Sequence, residues 1–334
     1  MNQKKQHIWL LTLSVFLLVI VFACYLKTGY VQTTWSEVYN AFIHPSEDPT
    51  STLVWSFRLP RILMAFIAGS ALSVSGMMMQ NVFKNPLAGP DILGISAGSS
   101  LFVAVWILTG FTFLGTQSDS VAVAIIGALA MGSFILLAAL KLRSIVHLLL
   151  TGLMLASFIS ALISILQASA ASERLQQFVF WNFGSLQKVS INEIPLIFMI
   201  LLLAIALALF QVRNMNAMVL GEEAASALGV SIRRYRLWMI LTSGILTGLI
   251  TAFAGPIAFV GLAIPNLSKM VFKSQNHFTL FAANLFFGAL FLGLCDWVIV
   301  GLEPYAIIPL NALTSIIGVP FVLWIILKNQ HVTR

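Results

Sequence analysis

Charge is what this chain has least of. Asp, Glu, Lys and Arg together make up 9% of its 334 residues, 59% of the residues are apolar, and the mean hydropathy is +0.97. An ordinary soluble domain is about one quarter charged, and even a large one leaves roughly a quarter of its unfolded surface in contact with water. This composition therefore excludes a soluble enzyme. It equally excludes a disordered chain, which combines low hydrophobicity with high charge. Acids are the scarcer sign, 11 against 18 bases. The resulting net charge of +7 is what the cytoplasmic loops of a membrane protein carry, not the footprint of a nucleic-acid binder. Cysteine is nearly absent. Cys24 and Cys295 each sit inside an apolar run and are read as free thiols.

Several chemistries are missing as well. No G-x-x-x-x-G-K-[ST] loop occurs, so the chain does not hydrolyse ATP itself. No H-E-x-x-H occurs, nor an acidic cluster that would hold Mg²⁺ beside a lipid diphosphate, which removes membrane protease and prenyltransferase readings. His7, His44, His147, His277 and His331 are scattered without metal-ligand spacing. Met77, Met78 and Met79 are consecutive, point to different helix faces, and are read as packing. Only one acid, Asp296, lies well inside a span. It is either a helix-packing carboxylate with a partner or the coupling acid of an ion-driven transporter.

What the chain has is long apolar runs. At about twenty residues per crossing they predict ten helical spans: 8–26, 62–83, 92–113, 121–140, 145–168, 194–212, 237–256, 258–272, 278–300 and 306–327. The run 258–272 is short and follows Gly255-Pro256, as a half-span or re-entrant piece would. Lys4 and Lys5 before the first run also fit a signal peptide, and Val21-Phe22-Ala23-Cys24 is similar to a lipoprotein cleavage box. Phe22 is too bulky for that box, and an uncleaved first span is expected.

With the N-terminus inside, Lys4, Lys5, Lys84, Lys141, Arg143, Arg213, Arg233, Arg234, Arg236, Lys269, Lys273, Lys328 and Arg334 fall inside. Lys27, Arg58, Arg61, Arg174 and Lys188 fall outside. The asymmetry predicts that both termini are cytoplasmic. The chain reads as a single transmembrane domain over 1–334, with an inner loop at 213–236 and outer loops at 27–61 and 169–193. The first outer loop carries Trp35, Glu37, Glu47 and Asp48. No segment has room for a soluble domain, so any ATPase or receptor is a separate chain.

Local chemistry concentrates between Arg58 and Ser100. Gly69, Ser73 and Gly76 give a helix a small-residue face for close contact. Asn85-Pro86 and Gly89-Pro90 then break the chain, and Asp91 can cap the helix that follows. Such a break places polar backbone at a packed or water-lined site, a feature of transporters and channels. Arg58 and Arg61, beside an outer face, read by themselves as interfacial anchors. A second Gly-Pro break opens Gly255-Pro256-Ile257-Ala258-Phe259-Val260-Gly261, which hints at an internal repeat. In the inner loop, Leu220-Gly221-Glu222-Glu223-Ala224-Ala225-Ser226-Ala227-Leu228-Gly229 predicts a short alanine-rich helix ended by Gly229.

Arg58, Pro60, Arg61, Gly76, Gln80, Asn85, Pro86, Leu87, Ala88, Pro90, Leu93, Gly94 and Gly98, in this order and spacing, resemble the FecCD-type permeases. These are the membrane subunits of ATP-driven importers for iron-siderophores, haem and cobalamin. The resemblance continues through 220–229, 255–273 and 318–321. It implies an all-α polytopic membrane protein of about ten transmembrane helices, with the type II importer fold of cobalamin permeases. It implies a dimer with a second copy or a related permease, the path lying between them, in a bacterial cytoplasmic membrane. A separate ATPase pair, which alone binds ATP and Mg²⁺, would dock at Leu220, Gly221, Glu222, Glu223, Ala224, Ala225, Leu228 and Gly229. An extracellular or periplasmic binding protein would dock at Arg58 and Arg61.

Gln80, Asn81, Asn85, Pro86 and Gly94 are expected at the translocation path, and neither catalytic residues nor a metal site nor a cofactor is expected in this chain. Ferric siderophore is the favoured cargo and haem or cobalamin the alternatives. An ion-coupled secondary transporter using Asp296 is the reading from a different class. The chain departs from the family pattern at Asn266, Lys269, Val300 and Ile307-Ile308-Pro309-Leu310-Asn311.

Overall fold

A computed structural model describes residues 3–29, 31–44, 48–110, 119–142 and 144–330. Glu47, Arg143, His331 and Arg334, named above, lie outside the described residues. The described chain is all helical: α1 Gln3–Lys27, α2 Trp35–Ile43, α3 Pro49–Thr52, α4 Leu59–Phe83, α5 Ile95–Thr109, α6 Asp119–Lys141, α7 Ile145–Ala168, α8 Ser172–Asn182, α9 Ile194–Met218, α10 Glu222–Ala227, α11 Ile232–Ala254, α12 Val260–Phe272, α13 His277–Leu302 and α14 Leu310–Gln330. Seven of the helices are long and apolar enough to cross a bilayer, whereas α5, α12 and Leu310–Trp324 of α14 are shorter apolar helices. The end of the bundle that carries α10 is called basal below, and the other end distal.

Each of the ten expected spans has a helix, but the segments between them are less loop-like than their polarity implies. The 27–61 loop folds into α2, α3 and a π-helical stretch, Leu53–Arg58, that runs directly into α4. A capping box starts α2: Thr34 accepts from the Glu37 backbone N–H while the Glu37 carboxylate accepts from the Thr34 N–H. The 169–193 loop contains α8. Proline at its second position suits the start of α4, and Lys84 in the left-handed conformation (φ 49°) ends it.

The central element is α4, buried along nearly its whole length by α9, α11, α12 and α13. Small residues permit this. A Cβ at Gly69 would collide with the carbonyl of Gly288, and one at Gly76 with the carbonyl of Gly261. Exposed apolar residues such as Phe16 and Phe210 suit a lipid-facing surface. Met77, Met78 and Met79 are buried, as packing residues should be.

The two broken segments end inside the bundle. Gly94, which opens α5, faces Met131, Gly152 and Ala156 in the middle of α6 and α7, and Ile95 packs on Gly244 and Gly248 in the middle of α11. Residues 84–94 therefore climb from the basal end of α4 to mid-depth, where α5 starts and runs distally. That is why the expected span 92–113 is a short helix. From the distal side, residues 255–259 descend to α12, whose Gly261 lies against Pro90 and the carbonyl of Leu72. The run 258–272 is thus a half-length helix starting at mid-depth, and the two breaks meet there.

Candidate coupling and translocation sites

At the basal end, α10 is a single exposed turn-and-a-half between two spans. Glycines set its ends: Gly221 (φ 101°) and Gly229 (φ 88°) hold positive backbone angles that side-chain-bearing residues rarely adopt. Ala225 is fully buried and seats the helix on its neighbours, while Val219, Leu220 and Leu228 project with about half to two thirds of their surface exposed. Glu222 clamps the helix. It accepts from Arg236 Nη2 at 2.8 and 3.0 Å and pairs with Lys84 Nζ at 3.3 Å. Partial burial alone raises its carboxyl, but Arg236 and Lys84 outweigh that and hold it below the usual carboxylate value. The result is an exposed apolar ridge beside a small helix that Glu222 ties to two spans.

That clamp leads into the break at mid-depth. Lys84 is the residue at which α4 stops, and Asn85 next to it stabilises the turn by accepting from the Leu87 N–H at 2.9 Å. Asn266, where the family pattern has another residue, donates to the carbonyl of Pro86 at 2.8 Å and so ties α12 to the break. Asp91 accepts from Ser96 Oγ at 2.7 Å, and Gly94 has φ 72°. Pro86, Leu87 and Asp91 are exposed. A carboxylate at mid-bilayer depth faces a water-filled cavity or the bundle interior, not lipid.

The expected path residues do not share one surface. Asn85 and Pro86 lie on the open side of the break, and Gly94 is buried beside them as its hinge to α5. Gln80 is buried within this one chain, donating to the Leu262 carbonyl and accepting from Lys269. Gln80 thus sits on a helix that its own chain encloses, away from the open side of the break. Asn81 is half-buried in a basal network: it accepts from the Tyr235 hydroxyl and meets His277 Nε2, and the His277 backbone N–H donates to Asn216. The network joins α4, α9, α11 and α13.

At the distal end, Arg61 grips Asp296 through Nε at 2.9 Å and Nη2 at 2.9 Å and reaches Glu303 at 2.6 Å, while the Tyr25 hydroxyl donates to Asp296 at 2.6 Å. Gln187 donates to the same Glu303 carboxylate at 2.7 Å. Arg58 bonds the carbonyls of Leu26 and Val31 and the Thr33 hydroxyl. Both arginines are buried, at 5% and 9% exposure. A free fork for a partner's carboxylate is thus offered by neither, and Asp296 is the packing carboxylate of the two readings the sequence left open. The altered 307–311 stretch also has a local role, since Asn311 accepts from the Ala258 N–H at 2.7 Å and holds the second break.

Residues 17–328 match the FecCD transport family. The chain belongs to that family. This permease is 33% identical over 336 residues to the hemin transport system permease HmuU of Yersinia pestis, covering 99% of each chain. It is 31% identical over 337 residues to an iron chelatin transport system permease of Helicobacter pylori, covering 98% of this chain and 99% of that one. A solved metal-chelate type ABC transporter in an inward-facing conformation superposes with a TM-score of 0.84 at 32% identity, over 96% of this chain and 99% of that chain. The chain is a type II importer permease, a transport subunit whose ATPase is a separate subunit, and a multi-pass protein of the cell membrane. It has no cofactor of its own.

One feature of the permease escaped the sequence reading. On α7, Ser157, Ser160, Ala161, Ser164 and Ala168 are exposed on one stripe, each serine bonded back to a carbonyl four residues earlier. The i, i+3, i+4, i+7 spacing of hydroxyl and small residues was the available signal.

Proposed function

We propose that this permease carries a ferric siderophore or a related iron chelate inward, with a second permease copy completing the path. ATP binding and hydrolysis on the partner ATPase pair drive the alternation. Both termini then face the cytoplasm, α10 is the ATPase coupling helix, and the distal end receives the binding protein. The observation that carries the reading is the ionic chain from α10 through Glu222 to Lys84, because Lys84 begins the broken segment whose open side bears Pro86, Leu87 and Asp91. A push on α10 would reach the wall at mid-depth without passing through any flexible linker.

The open side of the break and the hydroxyl stripe of α7 are adjacent, since Gly94 packs on Gly152 and Ala156. Together they supply a weakly polar wall, which suits a large ligand that must be passed on and not trapped. Arg58 and Arg61 remain the region proposed for binding-protein docking, acting as struts that shape that face. The likeness to a hemin permease favours haem as the second cargo reading. Asp296 paired with Arg61 argues against a coupling acid.

The test is purification in gentle detergent from the native host, followed by mass spectrometry. An ATPase subunit should accompany the chain and be lost when Leu220 and Leu228 are replaced by Asp. A stable, lone chain that takes up cargo on an ion gradient would overturn the reading. Uptake of ferric siderophore against haem and cobalamin by reconstituted complex then decides the cargo.

A further inference from the structure

The short helix α2 divides into three sectors at helical spacing. Val38 and Ala41 are buried, and they join Leu26 of α1 and Val54 of the π-helical stretch in a small core of their own. Ser36, Glu37 and Asn40 form an exposed polar sector to one side of that buried edge. Trp35, Tyr39, Phe42 and Ile43, at i, i+4, i+7 and i+8, form an apolar sector to the other side, and between 37% and 65% of each is exposed. The Trp55 indole N–H donates to the Ala41 carbonyl at 2.9 Å and its ring lies 5.3 Å from that of Phe42, so the helix is held in this pose.

Two observations say what covers the apolar sector. Lys27, the last residue of α1, holds its ammonium 5.7 Å from the centroid of the Trp35 ring. Lys27 also stands on the same face of α1 as the exposed Phe16 and Ile20, at i, i+4 and i+11, a face that suits lipid. A lysine that ends a span on its lipid-facing side marks the headgroup level, so Trp35 lies at that level and on that side. The second observation is the order of the sectors. A helix lying flat in the membrane interface turns a polar side to water and an apolar side to the acyl chains, and Trp and Tyr are the rings that this level favours. We propose that α2 is an interfacial helix, with Trp35, Tyr39, Phe42 and Ile43 seated at the headgroup–acyl boundary of the distal leaflet. It anchors the corner through which the chain passes from α1 to Arg58, and it rests on neither the cargo nor the dimer.

Trp35→Cys, Ser36→Cys, Tyr39→Cys and Asn40→Cys are made singly in a chain whose Cys24 and Cys295 are replaced by Ala. Each is labelled with a nitroxide, and the permease complex is placed in lipid nanodiscs. Collision of the label with oxygen, which concentrates among acyl chains, is compared with collision with a water-soluble nickel chelate. The oxygen-to-nickel ratio should be severalfold higher at the Trp35 and Tyr39 positions than at the Ser36 and Asn40 positions. All four side chains are exposed, and the two neighbouring pairs keep the comparison available if one variant fails to fold. Equal ratios overturn the proposal, because the apolar sector then lies in water. A sector that the nickel chelate reaches until purified binding protein is added overturns it as well, and makes α2 a docking surface. So do labels at Trp35 and Tyr39 that meet neither reagent, since a protein surface then covers them.

Discussion

Arg61 joins α4 to α13 through a bidentate grip on a carboxylate that is only 2% exposed in its side chain. Removing one partner of such a pair leaves an uncompensated buried charge, worth about 3–5 kcal/mol. Arg61→Ala should therefore lower the thermal transition sharply, and Asp296→Asn less so because Glu303 still faces the guanidinium. Import in Asp296→Asn should track the amount of folded complex, whereas a coupling acid would lose uptake at unchanged stability; thermal melts beside uptake per folded complex separate the two. Glu222 works at the opposite end. Its folded carboxyl lies below the unfolded value, so its clamp is complete above the unfolded value of about 4.3 and is lost as pH falls through the folded one. Cargo-stimulated ATPase activity should be flat from pH 6 to 8 as far as this group is concerned. Glu222→Gln should change stability by less than about 1 kcal/mol, the pair being partly exposed, yet reduce ATPase coupling at every pH in that range.

At the scale of elements, the packing of α4 is a matter of backbone distance. Gly76 meets the backbone of Gly261, and Gly261 meets Pro90, so one glycine contact holds α4, α12 and the first break together. Overpacking costs about 1–3 kcal/mol where side chains can yield. Here the colliding atoms are backbone, so Gly76→Ala should exceed that and appear as lost expression or a monodisperse peak lost in size exclusion. Gly132, whose added Cβ meets nothing within 4 Å, is the control, and Gly132→Ala should be tolerated. The breaks themselves need both partners: Asn266 on Pro86 and Asn311 on Ala258 tie each extended segment to a helix from elsewhere in the chain.

For the whole molecule, the exposed stripe on α7 should face the same stripe, or a related one, across the path. Ser160→Cys or Ser164→Cys, in a chain whose Cys24 and Cys295 are replaced by Ala, should crosslink between copies with a short bifunctional thiol reagent and block import. Ser120→Cys, near the distal start of α6, should not. Failure of every α7 position to crosslink while the complex remains dimeric would move the path elsewhere.

The sequence by itself determined the membrane, the order of the ten apolar helices, the two breaks and the short helix of the inner loop. Each of these depends on local composition, on Gly and Pro geometry, or on a run of apolar residues long enough to leave no alternative. It also marked Arg58, Arg61 and Gln80, but not their surroundings, because a linear pattern does not tell a side chain turned toward a partner from one turned toward its own helices. Only the tertiary structure decided that Arg61 meets Asp296 across 235 residues, that α4 is enclosed, and that the first break meets the start of α12 through Pro90 and Gly261. Those outcomes follow from which helices can approach within backbone contact, and that is set by pairs of small residues far apart in the chain, such as Gly69 with Gly288 and Gly76 with Gly261.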